Sequence, residues 1–132
     1  MMFVKNKIAK SKINGIGVFS NQFIPKSEII WKFTPGFDLK FTKKQIKKLP
    51  KKAKEYLENY AWLSKKSGKY CFALDNAKYF NHSKNPNCFT AYYKNEKEVV
   101  TKAIRDIKKG EELTEDYRSF EKDLKHLLKN NF

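Results

Sequence analysis

Cysteine is nearly absent from this chain of 132 residues: Cys71 and Cys88 are the only two. That is too few for a Cys-rich zinc site, and nothing in the sequence requires them to pair. No metal centre is expected, and a reducing compartment fits. Arginine is equally scarce. Of 29 basic residues only Arg105 and Arg118 are arginine, so the planar fork that reads phosphates and bases bidentately is almost missing. Long apolar runs are missing too. The opening stretch MMFVKNKIAKSKINGIG has a lysine every few residues and no apolar run suited to a signal peptide or a membrane span. Acid is in short supply, with 14 residues against 29 basic ones, and the formal net charge is +15.

What is present suffices for one domain spanning residues 1–132. Hydrophobic residues make up 40% and aromatics 15%, with eleven Phe and seven Tyr, which predicts a core built more from rings than from aliphatics. A domain of this size buries roughly two-thirds of its unfolded-chain surface. The charge invites a nucleic-acid partner, because clustered cations release counterions from a phosphate backbone. The plainer reading is a solvated lysine surface. The densest basic run has eight lysines from Lys40 to Lys54, and its bland role is the solvent side of helices.

Along the chain, short strands dominate the first quarter. Val4, Ile8 and Ile13 with interleaved lysines predict a strand that turns at Asn14-Gly15 into IGVFS. Pro25-Lys26-Ser27 predicts a turn before a buried strand from Glu28 to Phe33. In the middle, Thr42 with Gln45 makes a capping-box pair, and Pro50 sits where a second helix would begin. Leu49, Ala53, Tyr56, Leu57, Tyr60 and Ala61 then give that helix an apolar face. KYCFALD alternates as a strand, and CFTAYYKNEKEVVTKAI reads as a hairpin turning at Lys94 to Lys97. SFEKDLKHLLKNN suits a short amphipathic C-terminal helix capped by Ser119.

Three stretches can carry chemistry. Gly15-Ile16-Gly17 permits a tight turn and close backbone approach to a ligand. It is not a dinucleotide fingerprint, because Ser20 stands at the third small position and strand rather than helix follows. Tyr79-Phe80-Asn81-His82-Ser83-Lys84-Asn85-Pro86-Asn87 sets two rings against a polar run of turn formers. It reads as a glycosylation sequon, as a neighbouring base and nucleophile of awkward geometry, or as a turn that leaves backbone amides free for a ligand. Gly110 to Tyr117, GEELTEDY, places four carboxylates before a tyrosine, a spacing that no metal loop uses.

Together and in this order, GIGVFS, YFNHSKNPN and GEELTEDY resemble the SET-domain protein-lysine methyltransferases over roughly residues 6–120. The likeness is to the compact bacterial and viral members without zinc-binding flanks. It implies a mainly β, β-clip-like fold of several small sheets with a knot-like crossing, a helical variable insert at 35–76 and a short C-terminal segment at 118–132. It also implies S-adenosylmethionine as cofactor, held by Asn14, Gly15, Ile16, Gly17, Lys78, Tyr79, Asn81, His82 and Tyr117, with Tyr117 catalytic. Trp31, Phe33, Tyr92 and Phe120 would wall the substrate-lysine channel. Asp116 and Glu112 would brace the crossing.

Three departures stand out. Lys84-Asn85 replaces a frequent Cys-Asp, Phe33 replaces a frequent tyrosine, and Glu115 sits where many members carry an aromatic that helps set product multiplicity. The implied substrate is a lysine-containing tail, histone first, with DNA or nucleosome contact through the Lys40–Lys54 cluster and room for a homodimer. The implied location is the cytoplasm, or a host nucleus for a viral or intracellular bacterial chain. The alternatives are a catalytically silent SET-derived binding module and a small basic nucleic-acid-binding protein.

Overall fold

The computed structural model describes residues 1–122. Its first elements, β1 (Asn6–Lys10) and β2 (Ile16–Ser20), form an antiparallel hairpin in which Ala9 faces Gly17. The turn closes with Ser11 N donating to the Gly15 carbonyl at 2.8 Å, and Gly15 takes a φ of 47°, where a side chain would be strained. Next, β3 (Ile29–Lys32) pairs with β9 (Val100–Ala103), which also pairs with β8 (Cys88–Ala91). The resulting three-stranded sheet carries Trp31 opposite Thr101 and Thr90 opposite Thr101.

The insert at 35–76 contains more than helix. It holds β4 (Leu39–Phe41), α1 (Lys43–Lys47), α2 (Lys51–Tyr60), β5 (Trp62–Leu63) and β6 (Tyr70–Phe72), with the strands in the order β4-β6-β5. The capping box forms in full: Gln45 N donates to Thr42 Oγ1 at 3.2 Å, and Thr42 N donates to Gln45 Oε1 at 2.8 Å. Pro50 is the residue just before α2, where its missing N–H costs nothing. The apolar face of α2 packs Leu57 and Ala61 on Phe72, with Leu49 and Tyr60 beside them.

Two segments well separated in the second half of the chain then meet. β7 (Asn81–His82) and β10 (Thr114–Glu115) pair in parallel, with Asn81 opposite Thr114 and His82 opposite Glu115. Asn87 fastens the junction, donating from Nδ2 to the Glu112 carbonyl at 2.8 Å and accepting at Oδ1 from Thr114 N at 3.0 Å. Here the polar turn formers stand in for sheet hydrogen bonds that two-residue strands cannot supply.

The main core corrects the expectation of a ring-built interior. Val4, Val18, Ile24, Ile30, Cys88, Ala103, Ile107 and Leu113 pack together with Phe80 as their only buried ring. Each fully buried Ile or Leu there contributes about 1.5–3 kcal/mol. The rings gather elsewhere: Tyr117 and Phe120 pack with Val99 and Trp62, and others line the insert. Short, twisted strands leave narrow gaps that branched aliphatics fill, whereas the rings collect around a cavity. The expected C-terminal helix lies for most of its length outside the described residues, and its Ser119 ends a 3₁₀ turn, Tyr117–Ser119.

Candidate active site

The cavity has a volume of about 250 Å³ and draws its walls from all three motifs and from the insert. Asn14 and Ile16 come from the hairpin, Lys78, Tyr79, Phe80 and Asn81 from the second motif, and Glu115, Tyr117 and Phe120 from the third. The insert adds Tyr60 and Trp62, and the β3-β9 sheet adds Trp31, Val99 and Thr101.

Asn81 ties the first two motifs together. Its Nδ2 lies 3.1 Å from the Asn14 carbonyl, 3.3 Å from that of Ile16 and 2.9 Å from Glu112 Oε1. Glu112 reaches on to Ser11, whose Oγ donates to Oε2 at 3.0 Å. Gly17 is what lets this carboxylate in. A Cβ there would stand 2.1 Å from Glu112 Oε1 and 3.2 Å from Ser11 Cβ. Gly17 thus serves the site by leaving room for a brace rather than by lining the cavity.

Tyr117 is buried, and its phenol donates to the Phe80 carbonyl. Its ring lies 5.3 Å from His82 and 5.7 Å from Phe120. Burial, aided by the charges of Glu115, Glu112 and Glu121, pushes the phenol well above its ordinary pKa, so it stays neutral. His82 does not line the cavity. Its Nδ1 accepts from Tyr117 N at 3.1 Å, which fixes the backbone that carries the phenol. Burial lowers the His82 pKa against the opposing pull of Asp116, consistent with a neutral ring whose Nδ1 is the acceptor.

The aromatic wall continues from Phe120 to Trp62, at 6.0 Å between centroids, and from Trp62 to Trp31 at 5.6 Å. It is closed by pairing of the segment after Tyr117 with the insert. Lys65 N donates to the Phe120 carbonyl at 3.0 Å, Lys122 N to that of Leu63 at 2.8 Å, and buried Glu121 accepts from Leu63 N at 3.0 Å. Backbone pairing thus holds the lid of the aromatic compartment. Phe33 and Tyr92 stand outside. Phe33 packs edge-on to Trp31 under the Lys40 ammonium, and half-exposed Tyr92 donates to the Ser119 carbonyl.

Of the residues expected at the site, the structure therefore brings Asn14, Ile16, Lys78, Tyr79, Asn81, Tyr117, Trp31 and Phe120 to one cavity. Gly15, Gly17, His82, Phe33 and Tyr92 are not among its walls. Gly15 instead shapes the turn, and Tyr92 holds Ser119. Lys78 lies 5.5 Å from the Tyr79 ring and donates to the Tyr56 hydroxyl at 3.2 Å. Trp62 and Tyr60 carried no motif, and the only available signal for them was aromatic clustering at the end of α2.

Glu115 is the unexpected wall. Its side chain is buried and accepts hydrogen bonds from Thr90, at 3.5 Å, and Thr101. Burial raises its carboxyl from the ordinary 4.5 to about 7, against the opposing pull of those two hydroxyls. The folded chain thus holds this proton more tightly than the unfolded one, so the contribution to stability is complete below pH 4.5 and is lost as pH rises through about 7. By pH 8.5 the loss is on the order of 3 kcal/mol. Glu115→Gln should therefore melt on the order of 10 °C above the parent at pH 8.5 and close to it at pH 5, measured by circular dichroism.

The lysine run also divides. Lys43, Lys44 and Lys47 of α1, Lys48 at its C-terminal cap, and Lys51 and Lys52 of α2 are exposed. Lys40 is not part of that surface, because its ammonium turns inward to buried Glu98 at 2.9 Å, and Ser64 Oγ donates to the same carboxylate at 2.7 Å. Burial works to raise the Glu98 carboxyl, but hydrogen bonds from Lys40, Ser67 and Ser64 hold it below the usual range.

A SET domain model matches residues 15–118. Among curated proteins, the chain is 30% identical over 135 residues to the histone-lysine N-methyltransferase trr of Drosophila melanogaster, covering 92% of this chain and 5% of that protein. It is also 30% identical over 132 residues to an H3 lysine-4 specific histone-lysine N-methyltransferase of Chaetomium globosum, covering 89% and 11%. The chain thus spans about a tenth or less of the length of these relatives. Among solved structures, a Plasmodium falciparum protein described as a candidate histone methyltransferase superposes with a TM-score of 0.61 at 25% identity, covering 86% of this chain and 93% of that one. A humanised mutant of the Chaetomium thermophilum Polycomb Repressive Complex 2 shares the fold, with a TM-score of 0.65 over 89% of this chain and 15% of that one.

Proposed function

The chain belongs to the SET-domain family, and from that membership we propose that it is a protein-lysine N-methyltransferase that uses S-adenosylmethionine and acts on a basic protein tail, histone first. The relatives named as histone-lysine N-methyltransferases support the reaction class. The observation that carries the reading is the position of Tyr117. Its phenol is bonded to the carbonyl of Phe80, next to Asn81, while its ring opens the run of Phe120, Trp62 and Trp31. One neutral phenol thus joins a polar compartment to an aromatic one.

The polar compartment fits the methyl donor by the chemistry of its walls. Backbone around Asn14 and Ile16, the Asn81 amide and the faces of Tyr79 and Tyr60 combine hydrogen-bonding groups with aromatic surface, which suits an amino acid joined to a purine nucleoside. S-adenosylmethionine, when bound, supplies a methyl group on a positively charged sulfur. The chain's contribution is placement. Acceptor oxygens of Tyr117 and nearby carbonyls favour positive charge at the transfer point, and alignment of amine and methyl carries much of the rate. The rings of Trp31, Trp62 and Phe120 exclude water from the acceptor side chain and favour its neutral amine.

The test is incubation with S-adenosylmethionine and core histones, followed by mass spectrometry of the histone lysines. Added methyl groups support the reading, and unmodified histones beside an active control enzyme reject it. The exposed lysines of α1 and α2 add a second expectation. With six phosphates neutralised, DNA or nucleosome affinity should fall about 10³-fold between roughly 50 and 200 mM salt. Fluorescence anisotropy with a labelled duplex checks this, and a flat response removes the DNA contact.

A further inference from the structure

One group of the cavity has no part in placing donor or acceptor, the carboxyl of Glu115. It is only 5% exposed, lines the same cavity as Trp31, Trp62, Tyr117 and Phe120, and among the described residues makes no ion pair. Its two hydrogen-bond partners, Thr90 and Thr101, are neutral hydroxyls. A buried carboxyl on an aromatic wall without a cation is costly unless a cation arrives with a ligand. The aromatic faces around it favour the same kind of visitor.

We propose that Glu115 receives the ε-ammonium of the substrate lysine and accepts one of its protons. The step is balanced within the pair: a proton passes from nitrogen to a carboxylate oxygen, the N–H electron pair stays on nitrogen, and a neutral amine faces a carboxylic acid. Tyr117 cannot take this proton, since its phenol already donates to the Phe80 carbonyl and keeps its own hydrogen. The raised proton affinity of the buried carboxyl narrows its gap to the ammonium, while exclusion of water lowers the ammonium's own. A tyrosine or phenylalanine at this position could offer a face but no base. The assignment rests on the lysine methyltransferase reading for its biological meaning. Its chemistry, binding of an alkylammonium, can be measured without turnover.

The probe is n-butylammonium, the free form of the lysine side chain, with 1-pentanol as a neutral ligand of similar length. Binding is followed by shifts of the tryptophan indole signals in nuclear magnetic resonance. Wild type should bind n-butylammonium at pH 8 at least fivefold more tightly than Glu115→Gln, with 1-pentanol bound equally by both. In wild type alone, n-butylammonium affinity should rise with pH across the carboxyl's ionisation. The titratable and polar groups near that carboxyl are Thr90 and Cys88 of β8, Thr101 of β9, His82 paired opposite on β7, Tyr117 and the neighbouring Asp116, itself held by Arg118. Burial holds the thiol and phenol protonated and shifts His82 toward its neutral form, and Arg118 favours the ionised form of Asp116, so over pH 7.5 to 9 the response is assigned to Glu115.

Methyl transfer provides the second readout. Glu115→Gln should lose at least tenfold in kcat/KM at pH 7.5 and regain most of it toward pH 9.5, where solvent supplies the neutral amine. Equal n-butylammonium binding by both proteins, loss of both ligands together, a flat wild-type pH response, or parallel pH profiles would each overturn the proposal. Wild type that binds n-butylammonium through Glu115 yet transfers no methyl group would leave the binding role standing and remove the enzyme reading.

Discussion

Tyr117→Phe should lower the turnover of methyl transfer about 10²-fold, the usual cost of deleting one preorganised polar group at a reacting centre, while methyl-donor affinity stays within about threefold. The separation follows from where the hydroxyl stands. Its hydrogen is committed to the Phe80 carbonyl, so the oxygen presents lone pairs rather than a proton, and its ring is fixed by His82 and Phe120. Deleting the oxygen leaves those rings in place and takes away an acceptor beside the developing positive charge. It also strips the Phe80 carbonyl of its donor, a stability loss of about 1 kcal/mol. Single-turnover kinetics with core histones, beside calorimetry with S-adenosylhomocysteine, measures both quantities. A variant with full turnover would show that the phenol is only a packing group. Because burial keeps the phenol neutral, the pH profile should also lack a limb belonging to it.

Asn81→Ala should act at the other end of the cavity and fail differently. One amide nitrogen holds the Asn14 and Ile16 carbonyls and the Glu112 carboxylate. Its removal strands a carboxylate that Gly17 has admitted to a tight space and whose other oxygen is held by the Ser11 hydroxyl. Loss of a charge-assisted hydrogen bond together with an unsatisfied partner costs about 2–4 kcal/mol. The hairpin turn should then lose its fixed distance from β7, and S-adenosylhomocysteine affinity should drop at least tenfold. Thermal melting and calorimetric titration read the two effects. Unchanged affinity would mean that this brace serves the fold alone.

How far all this could be read in advance differs from element to element. Local chemistry announced itself: Asn14-Gly15 marked the first turn, Thr42 with Gln45 the start of α1, and Pro50 the start of α2. The three motifs converge through two polar side chains of the second: Asn81 holds the hairpin carbonyls and Glu112, and Asn87 holds Glu112 and Thr114. Long-range consequences stayed hidden. Trp62 reaches the cavity only because β5, two residues long, pairs with β6 and with the segment after Tyr117. Gly17 is explained by a carboxylate ninety-five positions away, at Glu112, and Lys40 left the basic surface for buried Glu98. None of these has a periodic or dipeptide signature. The abundance of Phe and Tyr misled about the core because those rings surround an opening, and the aliphatics fill the gaps between short strands.

On the proposed function, three segments distant in sequence form one methyl-donor site. Hydrogen–deuterium exchange with and without S-adenosylhomocysteine measures whether they do. Peptides covering 14–17, 78–82 and 114–120 should all gain protection together on adding the ligand. Protection confined to one of these segments, or absent from all three, would mean that they do not share one donor site.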